Sequence, residues 1–288
     1  MHKKKILIIG GAGFIGSNLC KRLVKEKTNL VYCLDNYFTG SKSNHIDDVN
    51  YINGSSVDIN DKISFLPDLI FHLGEYSRVE QSFEDIEKVW EFNQQGTFKV
   101  LEFCRKNKIK LIYSGSSTKF TNNIRPGSLS PYSWFKTANT ELIINYGDWF
   151  NLDYTIVYFY NVYGNNEIKE GKYATLISLF KNQFERNEAL TVVSPGTQKR
   201  NFTHIDDIIE ALILISEKGH GDGYGIGNDE NYSILEIAKQ FKRPIKMIPE
   251  RKGNRMGSLL VNQKTKDLGW QPKHSVIDHI KKFIDNKI

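Results

Sequence analysis

Ile6-Leu7-Ile8-Ile9-Gly10-Gly11-Ala12-Gly13-Phe14-Ile15-Gly16 is the stretch on which the fold of this chain turns. The four apolar residues match a short strand buried on both faces. Glycines follow without a spacer, and helical periodicity begins near Gly16 and runs to Glu26. Gly11, Gly13 and Gly16 have the GxGxxG spacing, while Gly10, Gly13 and Gly16 have the GxxGxxG variant. A Cβ at such positions would obstruct a tight turn, the approach of a pyrophosphate and the packing of helix on strand. The helix start offers free N–H groups and the positive end of its dipole to phosphates.

A second strand, Leu30–Leu34, ends in Asp35, about 20 residues beyond the glycines, where a carboxylate accepts hydrogen bonds from an adenosine ribose. This context assigns Gly10, Gly13, Phe14, Ile15, Gly16, Asp35 and Asn36 to a dinucleotide. The charge of Asp35 repels a 2′-phosphate and so favours NAD over NADP. Asp35-Asn36 would equally start a turn, and Lys42 nearby would soften the discrimination.

Outward from this unit, apolar runs alternate with amphipathic stretches. Strands are expected at Leu69–Leu73, Lys110–Ser114 and Tyr154–Phe159, with helices near Glu84–Lys106 and Pro131–Phe150. The alternation predicts an α/β fold, a Rossmann-type doubly wound parallel sheet. After Gly164 the pattern loosens: a helix near Lys172–Arg186, a strand at Leu190–Val193, and helices near Ile205–Glu217, Ser233–Phe241 and Val276–Asp285. Residues 1–164 therefore read as the dinucleotide domain and 165–288 as a smaller α+β substrate domain. A ligand is expected in the crevice between them.

Composition narrows the class. A chain of 288 residues, 40% hydrophobic and 12% aromatic, can bury a core. No run of eighteen apolar residues is present, so no membrane span is expected. Met-His-Lys-Lys-Lys before Ile6 imitates a basic leader, but the apolar run ends in the binding turn, and no export signal is read. Cys20, Cys33 and Cys104 lack metal-ligand spacing and read as reduced, packed thiols in a cytoplasmic protein. The net charge of +6 is spread along the chain, without a nucleic-acid signature. No metal site is expected.

Ser130-Pro131-Tyr132-Ser133-Trp134-Phe135-Lys136 reads as a helix start, with Ser130 as cap and Pro131 in the first turn. Tyr132 and Lys136, four apart, share a face. A free tyrosine ionises near pH 10; lowering that by about 3 units takes roughly 4 kcal/mol of preferential stabilisation of the phenolate. A nearby ammonium and a positive nicotinamide ring can supply it. Any YxxxK match can instead be a packed Tyr beside a solvated Lys.

Together with Asp58-Ile59, His72-Leu73, Asn161-Val162-Tyr163-Gly164, Gly196 to Arg200, Arg251 and Leu268-Gly269-Trp270-Gln271-Pro272, these segments occur in one order. In that order the chain resembles the extended short-chain dehydrogenases/reductases of the nucleotide-sugar epimerase and dehydratase family, over nearly its whole length. The resemblance implies that Asp58 and Ile59 flank the adenine and that Leu73 lies beside the cofactor. It makes Ser116 the hydroxyl that bonds the sugar's reacting oxygen, with Ser117 as the alternative one register on. It places Asn161, Arg200 and Arg251 on the nucleotide diphosphate, and implies that the stretch around 202–227 returns to the sheet.

Several positions depart from the family: Tyr158 where Arg is frequent, Asn201 where Asp is frequent, and Glu75 in place of a small residue near the nicotinamide end. Glu75 is expected either to touch substrate or to face solvent. The loop between Ser116 and Tyr132 is short, which alters the sugar pocket.

The resemblance implies epimerisation of a nucleotide-activated sugar at position 4. Tyr132 takes the hydroxyl proton while hydride passes to NAD, Lys136 orients the nicotinamide ribose and supports the phenolate, and Ser116 relays or stabilises the proton. Dehydratase, reductase or dehydrogenase chemistry on such substrates is the alternative, and a non-catalytic NAD-binding sensor is the alternative from another class. Relatives dimerise through the two long helices, so a homodimer is expected here.

Overall fold

A computed structural model describes residues 3–120, 129–250, 256–257 and 259–287. Arg251 lies outside them, as does 121–128 of the short loop. Among the described residues the central sheet has seven strands. They are β1 (Lys4–Ile9), β2 (Asn29–Asp35), β3 (Val49–Asn53), β4 (Leu69–His72), β5 (Lys110–Ser116), β6 (Tyr154–Phe159) and, from the second half, Gly221–Ile226. In space they run Gly221–Ile226, β6, β5, β4, β1, β2, β3, and every pairing is parallel. The order reverses between β1 and β4, which opens a crevice at the strands' C-terminal ends.

Alternation along β1 divides its side chains between two layers. Leu7 and Ile9 join one apolar cluster with Leu34, Ile70, Val100 and Ile143, while Ile6 and Ile8 join another with Leu19, Val31, Phe71 and Ile208. All four are at most 2% exposed, and such burial contributes roughly 1.5–3 kcal/mol for each side chain. Helices therefore cover both faces. A third cluster, built on Phe180, Leu190, Val192, Ile237, Phe241 and Ile280, forms the smaller unit. There Leu190–Val193 pairs in parallel with Ile245–Ile248. The tail reaches two of these clusters: Trp270 lies in the second and bonds the Asp207 carbonyl through Nε1 at 2.9 Å, while Val276, Ile280 and Ile284 lie in the third.

The helix over Pro131–Phe150 has the expected bounds, because both ends are chemically marked. Ser130 Oγ accepts the Ser133 N–H at 3.1 Å, Pro131 opens the first turn, and Asn151 closes the helix at φ 53°. The stretch expected as one helix over Glu84–Lys106 differs. It starts at Ile86, widens into a π turn over Trp90–Gln95, and resumes as Gly96–Asn107. The cause is Asn93, whose side chain is drawn to the backbone of Tyr76, accepting its N–H at 2.7 Å and donating to its carbonyl at 3.0 Å. The helix expected from Lys172 begins at Leu176 and ends at Glu185. Cys20, Cys33 and Cys104 are free and buried. No described helix is long and apolar enough to cross a membrane.

Candidate active site

The turn after β1 is shaped by what it cannot accommodate. Gly10 has φ +83°, and a Cβ on it would lie 2.6 Å from Gly74 Cα; one on Gly16 would lie 2.1 Å from the Gly10 carbonyl oxygen. Backbone meets backbone at both places, so a side chain at either would displace the turn. The helix Phe14–Leu23 starts here, with no side chain capping its first N–H groups. Such a terminus is suited to an anion. Asp35 stands beside it, 6% exposed, receiving Ala12 N–H at 2.9 Å and Tyr37 N–H at 2.8 Å. Burial raises its carboxyl above the ordinary value, against those two N–H groups. Asp35 thus holds the turn and also lines the crevice.

The crevice is a cavity of about 650 Å³ walled from both halves of the chain. Gly10, Gly13, Phe14, Ile15, Gly16, Asp35 and Asn36 line one end. Leu73, Ser116, Tyr132, Lys136, Asn161 and Arg200 line the rest. Asp58 and Ile59 do not line it. Asp58 receives the Ser55 N–H at 2.9 Å in a capping box, and Ile59 is fully buried in the first cluster. The wall at that point is Ser55 and Ser56.

At the other end, Ser116 is 8% exposed, and its Oγ accepts from the Thr118 hydroxyl at 2.9 Å, which leaves its own proton to donate. Lys136 follows Tyr132 by one helical turn and donates to the Ser114 carbonyl at 2.5 Å. It also forms a buried ion pair with Glu75, the two side chains being 4% and 1% exposed. Glu75 therefore does not face solvent. Its other oxygen accepts from Thr97 Oγ1 at 2.6 Å, Tyr113 OH at 3.1 Å and Asn139 Nδ2 at 3.1 Å. Thr97 spends its proton on Glu75, so the contact of 3.1 Å from His72 Nε2 is made by an N–H on that nitrogen. Burial pushes His72 down to about 4, so it is neutral at pH 7.

Arg78, which carried no signal in the sequence reading, also lines the cavity. Its Nε and Nη2 donate to the Tyr173 carbonyl, at 3.1 and 2.5 Å, and no described carboxylate pairs with it. Burial lowers its guanidinium, opposed by the phenols of Tyr132, Tyr76 and Tyr173. Arg78 and Tyr132 line the same cavity. Tyr158 and Asn201, which depart from the family pattern, are structural: Tyr158 donates to Asp222 at 2.6 Å, and Asn201 donates to the Asn228 carbonyl at 2.9 Å.

A cluster elsewhere brings together His204, Asp206 and His274. His204 Nδ1 accepts Asp206 N–H at 3.2 Å, His274 Nδ1 lies 2.8 Å from Asp207, and the two rings stack at 4.4 Å. Their donor atoms lie within 4.8 Å of one another, and among the described residues His204 caps the helix Ile205–Lys218 while its ring stacks on His274.

The features around the cavity fit a dinucleotide: a cradle that a Cβ would fill, an uncapped helix start, and a buried carboxylate at the end of β2. Residues 6–227 match the NAD dependent epimerase/dehydratase family. The UDP-N-acetyl-alpha-D-glucosaminuronate decarboxylase of Bacillus cytotoxicus is 32% identical over 256 residues, 82% of this chain and 79% of the relative. Among solved structures, the UDP-glucose 4-epimerase of Thermotoga maritima with UDP-glucose is 26% identical and superposes with a TM-score of 0.89, covering 98% of this chain and 97% of that one. The fold is shared as well by the UDP-glucuronic acid 4-epimerase of Bacillus cereus in complex with UDP-glucuronic acid and NAD, at 24% identity and a TM-score of 0.87 over 99% and 100% of the chains. By this match over most of its length, the chain belongs to the NAD dependent epimerase/dehydratase family.

Proposed function

We propose that the chain is an epimerase acting at position 4 of a nucleotide-activated sugar, in the cytoplasm and as a homodimer. The observation that carries this reading is the convergence of Ser116, Tyr132 and Lys136 on one cavity with the glycine turn and Asp35. Gly10, Gly13, Phe14, Ile15, Gly16, Asp35 and Asn36 would hold the adenosine diphosphate half of NAD, and Leu73 and Lys136 the other half. NAD, when bound, supplies a reversible two-electron acceptor for the hydrogen on the sugar carbon.

The protein's part is to move one proton and hold one oxygen. Tyr132 as phenolate takes the proton of the position-4 hydroxyl and later returns it. Ser116, already accepting from Thr118, donates its proton to that oxygen in both states. A ketone at position 4 is planar, so hydrogen can return to either face once the sugar turns in the cavity. Because Glu75 neutralises Lys136, the guanidinium of Arg78, which meets no described carboxylate, is a cation available to favour the phenolate. Asn161 and Arg200 face the nucleotide diphosphate, a task that suits a guanidinium fork.

Two observations favour epimerisation and dimerisation over the alternatives. Elimination of water requires an acid and a base next to the reacting carbon, and the residues after Ser116 are Ser117 and Thr118, whose hydroxyls do neither readily. Glu75 is the nearby carboxylate, and it is committed to Lys136, Thr97, Tyr113 and Asn139. Trp90, Phe98, Trp134, Trp149 and Phe150 are each more than 40% exposed on the two long helical stretches, an apolar surface suited to a second copy.

Mass spectrometry with NMR on a panel of UDP-, GDP-, CDP- and dTDP-sugars tests the reaction. A position-4 epimer of unchanged mass is expected, and a product lighter by one water or by carbon dioxide would refute it. Light scattering tests the dimer.

A further inference from the structure

The carboxylate of Glu75 is heavily bonded beside the cavity, and the reaction just proposed gives it no chemical step. It receives hydrogen bonds from three side chains in addition to the Lys136 ammonium. These partners lie on the helix Gly96–Asn107, on β5 and on the helix Pro131–Phe150. Asn139 is itself fixed by donating to the Asn93 carbonyl, at 2.8 Å, inside the π turn. So elaborate a mounting holds the charge in one place. It also takes Lys136 out of the role of a lone cation, since the pair is net neutral.

The position of the pair gives that neutrality a consequence. A dinucleotide laid across the reversal of strand order has its adenosine half over β1 and β2, where Asp35 lies. Its second half then lies over the ends of β4 and β5. Those ends carry Leu73, Gly74 and Glu75 on one side and Ser114 to Ser116 on the other. The oxidised nicotinamide ring bears a positive charge that the reduced ring lacks. A lone ammonium at that end would disfavour the oxidised ring, whereas a neutral pair does not.

Resting on the function proposed above, we infer that Glu75 is a positioning residue that holds Lys136 and, by cancelling its charge, sets the redox preference of the site toward oxidised NAD. An enzyme that must begin each turnover with oxidised cofactor gains from this, because cofactor trapped in the reduced form would be idle.

The test compares the affinities of stripped full-length protein for NAD+ and NADH, by calorimetry and by NADH fluorescence, and needs no substrate. Glu75→Gln keeps the shape and removes the charge. Glu75→Ala supplies the small residue typical of the family, and carries the test if the glutamine variant does not fold. Either variant should lower the preference for NAD+ over NADH by about tenfold, equal to about 30 mV for a two-electron couple. The double variant E75Q/K136M, neutral again, should recover most of that preference. An unchanged ratio with both cofactors still bound would overturn the role of Glu75 while leaving the proposed function intact. A shifted ratio that persists in the double variant would mark a packing effect and overturn it equally. Failure of the wild-type protein to bind either cofactor would instead remove the functional reading beneath it.

Discussion

Acid should weaken this fold through its buried histidines, and His72 carries a share that one variant isolates. Its side chain is fully buried at the end of β4, with Nε2 spent on Thr97 and Nδ1 without a described partner. Burial lowers its value from 6.5 to about 4. The unfolded chain therefore binds a proton on this residue between those values that the folded chain refuses, so stability falls as pH falls through that window. Linkage from pH 7 to pH 4.5 gives a loss of about 2 kcal/mol from His72 alone. His279 and His204, also lowered chiefly by burial, add in the same direction. Urea unfolding followed by circular dichroism at half-unit pH steps measures the total. The His72→Gln variant isolates the share of this residue, because glutamine can still donate to Thr97 and does not titrate. Its stability should decline by about 2 kcal/mol less than wild type over the same range. Equal slopes for the two proteins would refute the argument, whatever their absolute stabilities.

Other outcomes follow from the cavity wall. Tyr132→Phe should fold and bind NAD normally while losing at least about a hundredfold in turnover, the scale of a lost general base; a rate near wild type would remove Tyr132 from the mechanism. Arg200→Ala should weaken nucleotide-sugar binding by about 2–3 kcal/mol and leave NAD affinity unchanged, and titration calorimetry would expose the error if both fell together. Gly74→Ala would bring a Cβ within 2.9 Å of Gly10 N and of Ile9 Cγ2. It should cost about 1–3 kcal/mol of stability and weaken NAD binding, checked by thermal melts and by NADH fluorescence.

What was legible in the sequence is what is encoded locally. The run Ile6–Ile9 and the glycines after it specify a strand and a turn by their own sterics, and Ser130-Pro131 marks a helix start without reference to anything distant. β3 escaped because Val49–Asn53 borders the sheet and mixes half-buried Tyr51 and Ile52 with exposed Asn50 and Asn53, so its apolar pattern is weak. The π turn escaped because it depends on Asn93 meeting the backbone of Tyr76 across the fold. Glu75 stood out in the sequence, but its ion pair did not: its partners Thr97, Tyr113, Lys136 and Asn139 are distant in sequence, and no spacing rule joins them. Asp58 was assigned through a motif match, and proximity in the family pattern does not reveal that its carboxylate also serves a capping box. Arg78 is one residue in a loop, and only the cavity shows that its charge has no described carboxylate to meet.

Trp270 is locked under the sheet through Asp207, and a short distance on Val276, Ile280 and Ile284 are embedded in the smaller unit. One covalent strap thus bridges the two apolar masses whose separation forms the crevice. Parting them to admit or release a ligand must bend the strap at residues 271–275 or leave it rigid and pivot around it. The chain crosses between the same masses at 162–163, 202–205 and 226–234 as well, so the crevice opens only by flexing these crossings together, and the two masses cannot drift apart as independent bodies on a slack tether.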